Sequence, residues 1–315
     1  IFKLKDFYPA GDEHMTVHEV LGRVVPQGGI PINVGCIVIN VETVLNVYNA
    51  VKDIPTTQTF VTLAGEVKNP VTCKLPIGIT YREALSICDT YDLDEKVLID
   101  GGPMMGKVVY NFDETITKTT KAIILLDKKH SLIRRKTMTL KQRLLQSKAA
   151  CLQCSRCTDL CPRYLLGHDV IPHMVMRVSN YGLKDFDGLK TALGCSECGI
   201  CELYSCPSDL SPKKINIEIK HEFTKAGIKI DYSENDYVAS QIIEYRKVPV
   251  NRLIERLNLE KYDVAAPLKE IDYNPEKVSI KLKQHIGTQA KSLVKEGQTV
   301  LEGELIAKVD ENKLG

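Results

Sequence analysis

Apolar positions along the chain change period several times, and each change marks an element. After a loop at 26–31, the run Cys36-Ile37-Val38-Ile39 predicts a buried strand. Val41, Val44, Leu45, Val47, Tyr48 and Val51 then follow helical spacing, so this strand is expected to pass through Asn40 into a helix. A junction of that kind turns backbone donors toward a ligand, although most such junctions bind nothing. Residues 60–67 alternate as a strand that breaks at Lys68-Asn69-Pro70, and residues 71–75 return as a second strand. Thr80 can cap a helix from Tyr81 to about Cys88, and residues 96–100 are a third strand. The turn Gly101-Gly102-Pro103-Met104-Met105-Gly106 fits a tight connection with methionines in the core better than a ligand contact. A strand at 122–126 follows.

Beyond it the periodicity is helical. Leu140, Leu144 and Leu145 give a helix one apolar side, Ile171, Met174, Val175 and Val178 line another, and Leu183, Phe186, Leu189 and Leu193 a third. Residues 223–262 are mixed and charged and are expected to form a helical connector. From Val278, Ile280 and Leu282 onward, alternation with spaced glycines at Gly287, Gly297 and Gly303 predicts short strands of a β-sandwich.

Two cysteine runs interrupt the helical part, and they hold eight of the 11 cysteines. Cys151, Cys154, Cys157 and Cys161 are followed by Pro162, which is the C-x2-C-x2-C-x3-C-P pattern of iron–sulfur ligation. Cys195, Cys198, Cys201 and Cys206, followed by Pro207, repeat it with one extra residue before the last cysteine. Three closely spaced thiolates can hold one side of a cubane, and the fourth, beside its proline, can reach the neighbouring cluster, as in two-cluster ferredoxins. The expectation is therefore two 4Fe–4S clusters, one on Cys151, Cys154, Cys157 and Cys206, the other on Cys195, Cys198, Cys201 and Cys161. A zinc site usually draws on two separated C-x2-C pairs, and a disulfide framework belongs to small secreted chains. Neither suits this spacing. The 33 residues from Pro162 to Gly194 are too many for a compact ferredoxin and point to helices in place of hairpins. His168 and His173 are expected to be ordinary polar or capping residues, and Cys36, Cys73 and Cys88 packing residues.

Composition adds limits. A chain of 315 residues, 43% hydrophobic, should hold two or more domains. A net charge of +2 implies no general attraction to nucleic acid. No run of 18 apolar residues predicts a membrane span, and no leader reads as a signal peptide. The first residue, Ile1, hints at a fragment. Thiolate clusters without export signals argue for an oxygen-poor cytoplasm. Between Asp127 and Ala150 there are eight basic residues, Lys128, Lys129, Arg134, Arg135, Lys136, Lys141, Arg143 and Lys148, against Asp127 alone. They could dock an acidic redox partner, but a solvated helix face is the favoured reading.

The segment from Cys151 to His168 resembles the cluster segment of the cobalamin reductases of propanediol-utilisation microcompartments, a family related to the RnfC electron-transport subunit. The four residues before Cys206 resemble that family more than RnfC. The resemblance covers nearly the whole chain and implies a multidomain α+β architecture. Residues 1–55 would be the later part of an α/β flavin and NADH domain shared with the 51 kDa subunit of complex I. Residues 56–112 would be an SLBB β-grasp domain, 113–137 a connector with a strand, and 138–222 an α-helical dicluster ferredoxin domain. After the connector, 263–315 would be a partial barrel-sandwich hybrid. Tyr8-Pro9-Ala10-Gly11-Asp12-Glu13 and Asn40-Val41-Glu42-Thr43 are similar to the relative's FMN segments. That implies flavin contacts at Tyr8, Gly11, Asp12, Glu13, Asn40 and Thr43, with Asp12 replacing a glutamate. The family's glycine-rich nucleotide loop lies upstream of the residues present, and the barrel-sandwich looks cut after its first half. No lipoyl attachment is implied, and Lys313 reads as a charged terminus.

The activity implied is transfer of electrons from NADH through FMN and two 4Fe–4S clusters to a corrinoid. The alternatives are an RnfC-like electron-entry subunit, a donor to another microcompartment enzyme, or a non-catalytic scaffold bearing clusters. Implied partners are a corrinoid-handling enzyme resembling an adenosyltransferase, or a microcompartment shell protein. Nucleic acid is not among them. The implied location is the cytoplasm, inside or attached to a microcompartment.

Overall fold

The computed structural model describes residues 1–229, 237–284, 286–310 and 312. It divides into two compact units, 39–133 with 261–315, and 1–38 with 134–260.

In the first of these, the alternating segments pair into a six-stranded sheet. Its order is Lys107–Val109, Lys96–Asp100, Ala122–Asp127, Gln58–Gly65, Val71–Pro76, Leu268–Lys269. Every second residue of Gln58–Gly65 is buried, as a strand with one face on a core requires. Val61, Leu63, Leu75, Leu98, Ile123 and Leu125 pack there with Ile79, Leu85 and the thiols of Cys73 and Cys88. The helix Tyr81–Ser86 starts at Thr80, whose Oγ1 accepts from the Glu83 amide at 3.1 Å while Glu83 accepts from the Thr80 amide at 2.7 Å. One methionine of the glycine-rich turn, Met104, is core; Met105 is exposed.

The strand Ala122–Asp127, expected in a connector, lies inside the sheet, antiparallel to Lys96–Asp100 and parallel to Gln58–Gly65. It can do so because Gly65 lets the two backbones close. Gly65 has φ +91°, and a Cβ there would sit 2.1 Å from the Leu125 carbonyl oxygen. Gly65→Ala should therefore cost about 3 kcal/mol, from the clash and the strained backbone together, seen as a lowered thermal midpoint.

Two predicted strands are absent from this unit and its border. Residues 36–39 form no strand, and Ile37 is largely exposed. No described strand pairs with them, and an apolar run without a ladder has only solvent to satisfy its backbone. Residues 278–282 likewise form no strand but run beside Gly78, where the Ser279 amide donates to the Gly78 carbonyl at 2.9 Å. The helix Val41–Val51 forms with the predicted bounds, yet none of its residues is buried. Its tie to the sheet is polar: Glu42 accepts from Lys121 at 2.6 Å and from Thr59 at 3.0 Å. Short strands Lys291–Ser292 and Ala307–Lys308 pair antiparallel. Lys313 lies outside the described residues.

The other unit is helical. Leu140–Ala150, Pro172–Tyr181, Phe186–Lys190 and Pro212–Lys225 carry the predicted apolar faces, and Val175, Met176, Ala192, Leu210 and Ile215 meet in a core. A second core joins Phe7 and Met15 to Leu165, Leu166 and Ile243. The N-terminal residues Phe7–Tyr8 pair antiparallel with Val248–Pro249. The expected helical connector contains the helices Ile243–Arg246 and Val250–Arg256, and its residues 230–236 lie outside the described ones. Among the described residues no helix is long and apolar enough to cross a membrane.

Candidate functional site

The sequence repeat of the cysteine runs is also a backbone repeat. Gln153 and Glu197, two residues after the first cysteine of each run, have φ of 52° and 60°. Ser155 and Gly199, two residues further, have φ of 58° and 88°. Each short helix that follows, Arg156–Asp159 or Ile200–Leu203, starts at that left-handed residue. Two left-handed residues in five curl the chain so that successive cysteines face one centre. Before the fourth cysteine the runs diverge. The extra residue of the second run is absorbed at Tyr204-Ser205, where the Ser205 amide still bonds back to the Ile200 carbonyl at 2.8 Å.

The fourth cysteines then change partners. Cys206 lines a cavity of about 380 Å³ with Cys151, Cys154 and Cys157, closed by His173, Met176 and Leu210. Cys161 is instead an electrostatic neighbour of Cys198 and Cys195, and Cys201 of Cys195, Cys198, Cys157 and Cys161. All eleven cysteines are free thiols. Among the described residues no three His, Cys, Asp or Glu groups converge on a point that a single metal ion could fill. The first sulfur group surrounds a volume instead.

These thiols are poor anions on their own. Burial, then the neighbouring sulfurs, pushes Cys157 up to about 12, while burial and its local contacts push Cys198 up to about 11. Cys161 and Cys201 are raised further by the same burial. Iron reverses that balance, since a coordinating thiol is deprotonated outright. Donors already point at the sulfurs: Gln153 Nε2 at 3.2 Å from Cys151 Sγ, the Glu197 amide at 3.4 Å from Cys195 Sγ, and the Leu210 amide at 3.3 Å from Cys206 Sγ. Other buried polar atoms have no protein partner among the described residues. They are the Ser205 hydroxyl, next to Cys206, and both amide atoms of Asn216, fully buried one helical turn before Lys220, whose Nζ holds the Cys195 carbonyl at 3.1 Å. Orphaned donors beside sulfur loops fit an acceptor-rich inorganic cluster, because left alone each would cost about 1–3 kcal/mol.

The two sulfur groups differ in exposure. Cys161, Cys198 and Cys201 are buried, whereas Cys154 is exposed and Cys151 and Cys157 partly so. His173 donates or accepts at Thr158 Oγ1 at 2.8 Å and lines the first cavity; His168 is buried with Nε2 2.9 Å from the Val25 carbonyl.

Of the flavin-like positions, Tyr8, Gly11, Asp12 and Glu13 lie in the helical unit. The Tyr8 hydroxyl donates to the Cys198 carbonyl at 2.7 Å, and burial raises its pKa. Asp12 caps the helix Glu13–Leu21, accepting from the His14 and Met15 amides at 3.1 and 3.2 Å. The same carboxylate takes a bidentate bond from Arg163, two residues past Cys161, at 2.7 and 3.0 Å. Gly11 and Glu13 are not buried, and a Cβ on Gly11 would meet nothing within 4 Å. Asn40 and Thr43, in the other unit, are exposed, and Asn40 Oδ1 accepts from the Glu42 amide at 2.9 Å. Asp12→Ala should remove both cap and ion-pair partner and cost about 2–3 kcal/mol, whereas Asp12→Asn keeps the cap and should cost less. Thermal melts of the two variants check the order.

The 4Fe-4S dicluster domain family matches residues 150–211, the Nuo51 FMN-binding domain family residues 1–49, and the RnfC barrel sandwich hybrid domain family residues 260–314. Over 314 residues the chain is 40% identical to the cobalamin reductase PduS of Citrobacter freundii, covering 99% of this chain and 69% of that protein. The chain belongs to the PduS family. PduS of Salmonella typhimurium is equally similar, at 40% identity over the same coverage. The RnfC-type component of the proton-translocating ferredoxin:NAD(+) oxidoreductase complex of Clostridium ljungdahlii is 33% identical over 160 residues, half of this chain and 32% of that protein. Membership in the PduS family thus extends over both compact units, while the likeness to the ferredoxin:NAD(+) oxidoreductase component covers half the chain.

The residues that sequence spacing missed are those that hold the cysteine loops from outside. Tyr8 grips Cys198, Lys220 grips Cys195, and Arg256 donates to the Cys206 carbonyl at 3.0 Å. Each comes from a distant segment, so no local signal marks it.

Proposed function

We propose that this PduS-family chain is an electron-transfer iron–sulfur flavoprotein that relays electrons from NADH, through FMN and two 4Fe–4S clusters, to a corrinoid. The observation that carries the reading is the exchange of fourth cysteines between two sulfur groups in a chain that also matches an FMN-binding family. Cys151, Cys154, Cys157 and Cys206 would hold one cluster, and Cys195, Cys198, Cys201 and Cys161 the other. When bound, flavin and clusters supply the conversion of a hydride's electron pair into single-electron steps.

The protein's own residues bind, orient and insulate. Gln153, Glu197 and Leu210 donate to ligand sulfurs, which favours the reduced level by spreading negative charge. Tyr8 joins the flavin-type segment to the backbone of Cys198, and Arg163 ties Asp12 beside Cys161. Leu210, Met176 and the buried faces of the helices exclude water. Tyr8, Gly11, Asp12, Glu13, Asn40 and Thr43 are proposed to border the flavin.

The six-stranded sheet with its capped helix is proposed to be an SLBB β-grasp domain, including Ala122–Asp127. It would follow a flavin-domain segment and precede the dicluster and barrel-sandwich domains. The names of the relatives support a corrinoid-handling partner and a microcompartment setting. The test is anaerobic: iron and flavin are quantified, NADH is added, and flavin bleaching and cob(II)alamin reduction are followed. Bleaching without corrinoid reduction would favour an RnfC-like donor, and clusters with no response to NADH would favour a scaffold.

A further inference from the structure

Several cations of the basic stretch are engaged inside the protein. Arg143 is buried against Glu202, Arg135 pairs with Asp209, and Lys128 pairs with Glu95. The helix Leu140–Ala150 turns Arg143 and Ser147 inward, and leaves Lys141, Leu145 and Lys148 exposed at helical spacing. Lys148 is in its last turn, and the chain then passes at once through Cys151 to Leu152, 73% exposed, and to exposed Cys154 and Arg156. Neither Lys148 nor Arg156 forms an ion pair among the described residues. Leu152, Cys154 and exposed Pro207 border the cavity of the first sulfur group. The second group has no such opening: three of its cysteines are buried, and Tyr8 of the flavin-type segment holds Cys198.

Electron tunnelling falls steeply with distance, so the exposed group is where a second molecule can come close. We infer that Lys148, Leu152, Cys154 and Arg156 form an electron-exit face that docks an acceptor protein through an apolar patch bordered by carboxylates. The buried group is correspondingly the entry side. At each encounter one electron leaves the first cluster, which returns to its oxidised level, and the acceptor's redox centre gains that electron. No bond changes and no proton moves. Reduced nicotinamide supplies the electrons in the proposed activity. The inference rests on the reading of the first cysteine run as a cluster ligand set.

The test uses the intact holoprotein reduced with dithionite, so it does not depend on NADH. Oxidised flavodoxin serves as an acidic probe and cytochrome c as a basic one, and stopped-flow rates are measured against ionic strength. Transfer to flavodoxin should fall at least about tenfold between low and high salt, as electrostatic steering requires. Lys148→Glu with Arg156→Glu should cause a similar loss at low salt and speed transfer to cytochrome c. Leu152→Ser should slow transfer without changing the salt slope. Lys184→Glu is the control: it follows the far end of the Pro172–Tyr181 helix, about 15 Å from the end at the cavity, and should leave the rate alone. Iron content and EPR signals should be unchanged in all variants. Salt-independent rates, or a charge-reversed variant as fast as the parent with its EPR intact, would overturn the docking face. Absence of iron and cluster signals from the unmodified protein would reject the ligand reading beneath it, a separate and recognisable failure.

Discussion

Cys206→Ala should remove the cluster held with Cys151, Cys154 and Cys157 and leave the other in place. About half the iron should be lost, because a cubane with three thiolates lacks its fourth ligand. The crossed arrangement is tested by combination. Cys206→Ala with Cys154→Ala should lose no more iron than either change alone, since both strike one cluster. Cys206→Ala with Cys198→Ala should lose nearly all of it. Iron analysis and EPR of the reduced proteins read both results. If the pairs behave the other way round, each run keeps its own fourth cysteine, and the cavity that Cys206 shares with the first run has been misread.

Arg143→Met should be the most destabilising change away from the ligands. Arg143 is buried, and all its donor groups are used: Nη1 to Glu202 at 2.6 Å and to Ser211, Nη2 to the Arg135 carbonyl at 2.5 Å and the Lys136 carbonyl at 3.1 Å, and Nε to the Met138 carbonyl at 2.8 Å. These bonds fasten the turn between Ser131–Thr137 and Leu140–Ala150 to Glu202, the residue after Cys201. Removing the guanidinium leaves Glu202 as a buried charge and three carbonyls unmatched, at a cost of about 3–5 kcal/mol. For a unit of this size that lowers the thermal midpoint by about 10 °C. Arg143→Met with Glu202→Leu should recover much of the loss, because the apolar pair strands no charge. A double variant no more stable than the single would show that the carbonyl contacts, and not the ion pair, dominate. Cluster assembly should fall in parallel with stability in the single variant, since Glu202 sits beside a ligand.

Much of the local architecture was legible. Val41–Val51, Lys96–Asp100 and the Thr80 cap appear where periodicity and capping chemistry put them, because a helix or a capped turn is satisfied by its own neighbours. The predicted strands at 36–39 and 278–282 did not form, because an extended segment depends on a partner that its own sequence does not contain. The basic stretch was ambiguous for a related reason. Charge counting gave one surface, whereas the fold buries Arg143, pairs Arg135, and leaves Lys148 to the solvent beside the sulfurs.

The cysteine spacing by itself determined that two groups of thiols would each curl toward a centre, since left-handed turns between closely spaced cysteines are a local matter. Family likeness was also written in those residues. Only the tertiary structure decided the rest: that one sulfur group opens to solvent while the other is enclosed, that Tyr8 and Lys220 hold the second loop and Arg256 the last cysteine of its run, and that Ala122–Asp127 is central in its sheet. These depend on contacts between residues far apart in the chain, which burial and pairing select and spacing cannot encode.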